Sequence, residues 1–244
     1  MAKMTLDELV AQLRAAYGPA LHAVVLYGSA AGEHAPARAH HDLLVIVERI
    51  GMAELRAVAP TARAWGEAGN PPPLTLTLAE WRSSSDVFPM EYADVLERHR
   101  ALHGALPIEG IRVDPAQLRT EVEQQALGKL LALRQGILAA GGNAARQLEL
   151  LERSLSTLMV IFRAVARLRG ERPPEDYEAL SRTTGAAAGF DPAPFVRVVR
   201  HVRGAERLAP RDAEEVLTRY LAAMEALVAH VDRLGAEDGR GARG

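Results

Sequence analysis

The sequence predicts a small mixed α/β domain followed by an all-α helical bundle, and three observations carry that expectation. Short β-branched apolar runs separated by helical periods fill residues 1–112, the signature of a sheet covered by helices. From Asp114 onward the periodicity is helical throughout, broken by glycines that suit helix ends and prolines that suit first turns. The 244 residues, 48% hydrophobic and 25% charged, are enough for two modest cores.

The elements follow in order. Thr5-Leu-Asp-Glu8 has the form of a capping box, and Leu6, Leu9, Val10 and Leu13 recur at helical spacing, which predicts a helix from Leu6 to Tyr17, stopped by Gly18-Pro19. Leu21 to Tyr27 reads as a buried strand ending at Gly28-Ser29. A loop with Gly32 and Pro36 leads to a second buried strand, Leu43 to Val47. Met52 to Glu67 is expected to be a helix despite Pro60, and Pro71-Pro-Pro73 delivers a third strand, Leu74 to Thr77. Thr77-Leu-Ala-Glu80 is a second capping box opening a short helix toward Ser85; Asp86 to Leu96 is expected to be helical around Pro89, and Arg98 to Leu102 to be a fourth strand. The bundle helices are expected at Pro115 to Ala140, Ala144 to Arg169, Pro174 to Thr183, Pro192 to Arg203 and Pro210 to Leu234. The domains are thus 1–112 and 113–235, and residues 236–244, without apolar content, form an expected disordered tail.

Composition excludes several functions. With no cysteine there is no disulfide scaffold, thiol catalysis or thiolate metal site, so a metal would need carboxylate, imidazole or carbonyl ligands. No apolar run reaches the roughly 20 residues that span a bilayer, and the segment from Met1 lacks the apolar core of a secretory signal, so a cytoplasmic location without membrane partners is expected. Residues 1–112 carry 10 basic against 13 acidic residues, and residues 113–235 carry 17 against 16. Neither half is a polyelectrolyte, which disfavours nucleic acid as the main partner.

The stretch that carries chemistry is Leu26-Tyr-Gly28-Ser29, a ten-residue interval, then His40-His41-Asp42-Leu43-Leu44-Val45. This pattern resembles the DNA polymerase beta-like nucleotidyltransferase superfamily, in its small bacterial branch, over about residues 20 to 104. The resemblance implies transfer of a nucleoside monophosphate from a nucleoside triphosphate (NTP) to an acceptor. Gly28 and Ser29 would hold the triphosphate, and Asp42 would hold Mg²⁺. Glycine admits close backbone approach to a phosphate, and the Mg²⁺ ions would activate the acceptor hydroxyl and stabilise the leaving pyrophosphate.

Aligning Asp42 with the second aspartate of that pattern puts His40 in the catalytic position of the first, where imidazole replaces the hard oxygen ligand Mg²⁺ prefers. The adjacent strand, Leu74-Thr-Leu-Thr77, offers only hydroxyls where a third carboxylate belongs. Transfer is therefore expected to be weak or lost unless Glu80, Asp86 or Glu91 folds in as a substitute. The alternative is a non-catalytic nucleotide-binding or protein-interaction module, with no cofactor at all. Residue by residue, plainer readings stand beside these: a simple turn at Gly28-Ser29, a backbone cap at Asp42, solvated loop histidines at 40 and 41.

Other segments have structural readings. Phe88-Pro89 followed by Met90 is expected to anchor its helix against the sheet, leaving Glu91 and Asp94 solvated. Arg197, Arg200, Arg203 and Arg207 with His201 form a basic run expected to be a solvated face, or a phosphate contact if it borders a cleft; Arg163 and Arg167 are similar candidates. Leu148, Leu151, Leu155, Leu158 and Phe162 make an apolar stripe that either fills the bundle or joins two copies in a homo-oligomer.

Overall fold

Alternating apolar side chains can be buried on both faces of a strand only when helices cover both faces of the sheet, and the first part of the chain is built that way. The computed structural model describes residues 3–31 and 41–241, and their side chains apart from Ser29 and residues 235–241. Its contacts divide it into two compact units, Met1–Val113 and Asp114–Gly244. In unit one, β1 (Leu21–Tyr27) and β2 (Asp42–Val47) are almost wholly buried. With β3 (Leu74–Thr77) and β4 (His99–Gly104) they form a sheet in the order β3-β2-β1-β4. β1 is antiparallel to both neighbours, whereas β2 and β3 are parallel.

One face packs Val24, Leu26, Leu43, Val45 and Val47 against α1 (Leu6–Tyr17) and α2 (Met52–Glu67) through Leu9, Leu13 and Trp65. The Thr5–Glu8 capping box forms as expected, and Pro60 is accommodated inside α2. The opposite face packs Ala23, Val25, Leu44 and Ile46 against Trp81 of α3 (Leu78–Ser83) and Tyr92 and Val95 of α4 (Pro89–Glu97). Trp81 and Tyr92 stack with ring centroids 4.3 Å apart, the Trp81 indole N–H donates to the Pro107 carbonyl, and the Tyr92 hydroxyl donates to the Trp81 carbonyl.

The expected anchor holds at Pro89 and Met90, which are buried, and is corrected at Phe88. Phe88 and Val87 are half exposed or more, while Met90, Tyr92 and Val95 fill the core and Asp94 is buried. Tyr92 reaches Trp81 from inside the helix, so Phe88, the residue before the proline, is not drawn in.

Unit two comprises α5 (Pro115–Ala140), α6 (Ala144–Leu168), α7 (Tyr177–Ala188), α8 (Ala193–Val202) and α9 (Ala213–Gly241). Gly141 and Gly189 close α5 and α7 in the left-handed conformation that favours glycine. The stripe Leu151, Leu155, Leu158 and Phe162 is buried, and Phe162, Phe190, Phe195 and Tyr220 form one aromatic cluster, so this stripe serves the bundle's own core. Helix α9 continues past Gly235, where the sequence suggests an end, because Ala236 and Glu237 are good helix formers and nothing there terminates it. Among the described residues, no helix is long and apolar enough to cross a membrane.

Candidate functional site

The site is assembled where β1 ends. Register pairs Tyr27 with Asp42 on β2 and with His99 on β4, so these three side chains lie abreast on the face covered by α3 and α4. Gly28 follows with φ of 70°, and residues Gly28–Ala31 form a 3-10 turn. A Cβ at Gly28 would lie 2.9 Å from an Asp42 carboxylate oxygen. Asp42 therefore packs its carboxylate directly onto the Gly28 backbone, and the glycine is required both for its left-handed conformation and for this approach. The structure brings Gly28 and Asp42, two of the residues singled out in the sequence, into contact. The Ser29 backbone lies in the same turn, whereas the Ser29 side chain, Gly32 and His40 lie outside what is described.

The Tyr27 hydroxyl feels the charge of three acids. Burial pushes its pKa up to about 12, and the charges of Asp42, Glu91 and Asp94 push in the same direction. Glu91 and Asp94 are one turn apart on α4 and share a face of that helix. Asp94 is 8% exposed while Glu91 is open to solvent. Beside them, His99 Nδ1–H donates to the Val95 carbonyl at 2.7 Å, which leaves Nε2 as the other ring nitrogen for a ligand or water.

The expected third carboxylate of the neighbouring strand is answered by geometry. β3 begins opposite Leu44, and Thr75 and Thr77 lie opposite Val45 and Val47. They are three and five residues along from Asp42, roughly 10 Å or more at about 3.3 Å per residue. No side chain at those positions borders Asp42, so Thr75 says nothing about the site; its hydroxyl donates to the Pro73 carbonyl. Of the three substitutes, Glu80 is consumed by its capping box, where it accepts from the Thr77 N–H at 2.7 Å and the Thr77 hydroxyl at 2.8 Å. Asp86 acts on Tyr92 instead. Glu91 is the one whose charge, like that of Asp42, acts on Tyr27, and Asp94, read from the sequence as solvated, is buried and acts there too. The signal for both was their spacing on one helix; what the sequence lacked was the docking of α4 beside Tyr27.

His41 points to the other face. Its backbone N–H and its ring both bond Asn70 Oδ1, at 3.1 and 3.2 Å, and the ring packs against Trp65, a structural role. Four of the five basic residues of the run are paired with acids: Arg200 forms a two-pronged pair with Glu178, Arg203 bonds Asp176, Arg197 faces Glu206 and Asp212, and His201 bonds Glu152. These contacts tie α8 to its neighbours and engage four of the five basic residues of the run. Arg163 is buried within α6.

No family model and no curated protein sequence matches the chain. Among solved structures, it is similar to spectinomycin adenyltransferase AAD(9) from Enterococcus faecialis, solved with ATP and spectinomycin. The two share 12% identity with a TM-score of 0.61, over 93% of this chain and 100% of that one. The sheet order and this likeness give the chain a nucleotidyltransferase-like α/β fold, followed along the chain by a helical bundle.

Proposed function

We propose that the chain binds an NTP at the Gly28–Ser29 turn, and that transfer of a nucleoside monophosphate to an acceptor is weak or lost. The observation that carries this reading is the Gly28–Asp42 contact: a left-handed glycine at a strand end, with a carboxylate seated on its backbone. Gly28 would keep the backbone open to a triphosphate, the Ser29 N–H and hydroxyl are the groups that would donate to phosphate oxygens, and Asp42 would lie beside them. The shared fold with a protein solved with ATP supports the ligand class.

Mg²⁺, which the fold type implies, was tested against the residues present. Asp42, Glu91 and Asp94 are gathered about Tyr27, yet among the described residues no three acidic or histidine side chains are placed to hold one ion. Position 40 adds an imidazole rather than a carboxylate. An imidazole there is a softer donor than Mg²⁺ prefers, which favours a nucleotide-binding or regulatory module over an efficient transferase.

The test is calorimetric titration of ATP, GTP, CTP and UTP, each with and without Mg²⁺ or Mn²⁺. Binding of one nucleotide that persists without metal is the expected result. Absence of binding under every condition would overturn the reading, and strict dependence on metal would restore the transferase. His40→Asp is expected to add a Mg²⁺-dependent component; an unaltered titration would show that position 40 does not border the site.

A further inference from the structure

We propose that the outward face of α5 is a homodimer interface, packed antiparallel against the same face of a second copy. The face is defined by helical geometry. With Leu118, Val122, Ala126, Leu130, Leu133 and Ala140 turned to the core, the residues opposite are Gln117, Thr120, Gln124, Leu127, Leu131, Gln135 and Leu138. All seven are exposed, with Leu127 at 46%, Leu131 at 48% and Leu138 at 81%. Not one carries a charge over some 22 residues, roughly six turns of helix.

The neighbouring helices differ. The exposed positions of α6 include Arg146, Glu149, Glu152 and Arg153, and those of α9 include Glu214, Glu215, Arg219 and Glu225. In a chain that is 25% charged, an exposed helical face of this length with three leucines and no charge has the composition of an interface more than of a solvated surface. The apolar stripe first considered for oligomerisation, on α6, is core; the unpartnered one is on α5.

Charge selects the occupant. A face without a single cation is not built for an anionic lipid surface, and a partner with the usual charged surface would lose hydration opposite leucine and gain nothing in return. A second copy offers leucine for leucine and amide for amide, so nothing charged is desolvated along the seam, and a twofold axis satisfies both copies at once. An antiparallel pairing about a point near residue 132 sets Leu127 beside the partner's Leu138 and brings Leu131 close to the axis. The exposed Gly128, whose Cβ position is empty, allows the backbones to approach closely. At the flank toward α9, Arg134 is already paired with Glu225, so the nearest charge enters the contact neutralised.

The test is sedimentation equilibrium of the full chain across a concentration series. A mass of twice 26.3 kDa is expected, with Leu131→Glu shifting the chain to monomer while circular dichroism and the thermal melt stay those of the parent. A monomer at every concentration, or a dimer indifferent to Leu131→Glu, overturns the proposal. Should the glutamate variant fail to fold, the cysteine-free background supplies an independent readout. Leu131→Cys treated with a short bis-maleimide is expected to give a covalent dimer, and Thr157→Cys on the exposed side of α6 to remain monomeric. Equal cross-linking of both, or of neither, overturns it.

Discussion

At the scale of single residues, the end of β1 carries the functional argument, and two substitutions test it. Gly28→Ala would place a methyl 2.9 Å from the Asp42 carboxylate at a φ of 70° that L-residues rarely adopt. Backbone strain of this kind costs on the order of 1–3 kcal/mol. Nucleotide affinity measured by calorimetry is expected to fall at least tenfold, with the fold retained in circular dichroism. Tyr27 offers a pH readout. Its folded pKa is about 12 against an ordinary value near 10, so the neutral form is favoured by folding. The stability this group contributes is complete below pH 10 and is lost as pH rises toward 12. Asp42→Asn removes one of the charges that hold Tyr27 neutral, and the tyrosinate absorbance of the variant is expected to appear at lower pH than in the parent. An identical titration curve would place Asp42 out of range of Tyr27.

At the scale of elements, what could be read from the chain was whatever local chemistry decides. Capping boxes at Thr5 and Thr77, the Pro71–Pro73 connector and the glycines at 141 and 189 fix their own ends, and the strands and most helices begin and end within a residue or two of expectation. Helix α7 was displaced, from Pro174–Thr183 to Tyr177–Ala188, because Asp176 caps the Ala179 N–H and Gly185 is carried inside the helix. A Cβ at Gly185 would lie 2.9 Å from the Phe190 carbonyl, a tertiary approach that no local pattern reports. The same limit governed α4. Which of Phe88, Met90 and Tyr92 enters the core depends on Trp81, eleven residues from Tyr92, and the choice of Tyr92 buried Asp94 and turned Glu91 toward Tyr27. Tyr92→Phe keeps the stack and deletes one hydrogen bond, leaving the Trp81 carbonyl short of a donor. A loss of about 1–2 kcal/mol in denaturant unfolding is expected. In unit two, Phe195 is fully buried among Phe162, Phe190 and Tyr220, and Phe195→Ala is expected to cost about 3–5 kcal/mol by the same measurement.

At the scale of the whole molecule, the charges argue against a polyanionic partner. The net charge is -2 and the isoelectric point about 6.5, so the long-range field of the chain repels a phosphate backbone weakly. A local patch could still have reversed that, and the one cluster with enough cations is Arg197 to Arg207. There Arg197, Arg200, Arg203 and His201 each face a carboxylate, so a phosphate would first have to displace Glu206, Glu178, Asp176 or Glu152. A protein that neutralises several phosphates gains affinity by releasing counterions, and one with its cations already paired gains none. Fluorescence anisotropy with labelled single-stranded RNA and duplex DNA at physiological salt is expected to show dissociation constants no tighter than about 10⁻⁴ M, the weak end of non-specific binding. Affinity that is micromolar and falls steeply with salt would mean the ion pairs of α8 open for nucleic acid. In that case Glu178→Gln, which frees Arg200, should tighten binding further; if Arg200 only ties α8 to α7, the variant should loosen the bundle and leave anisotropy unchanged.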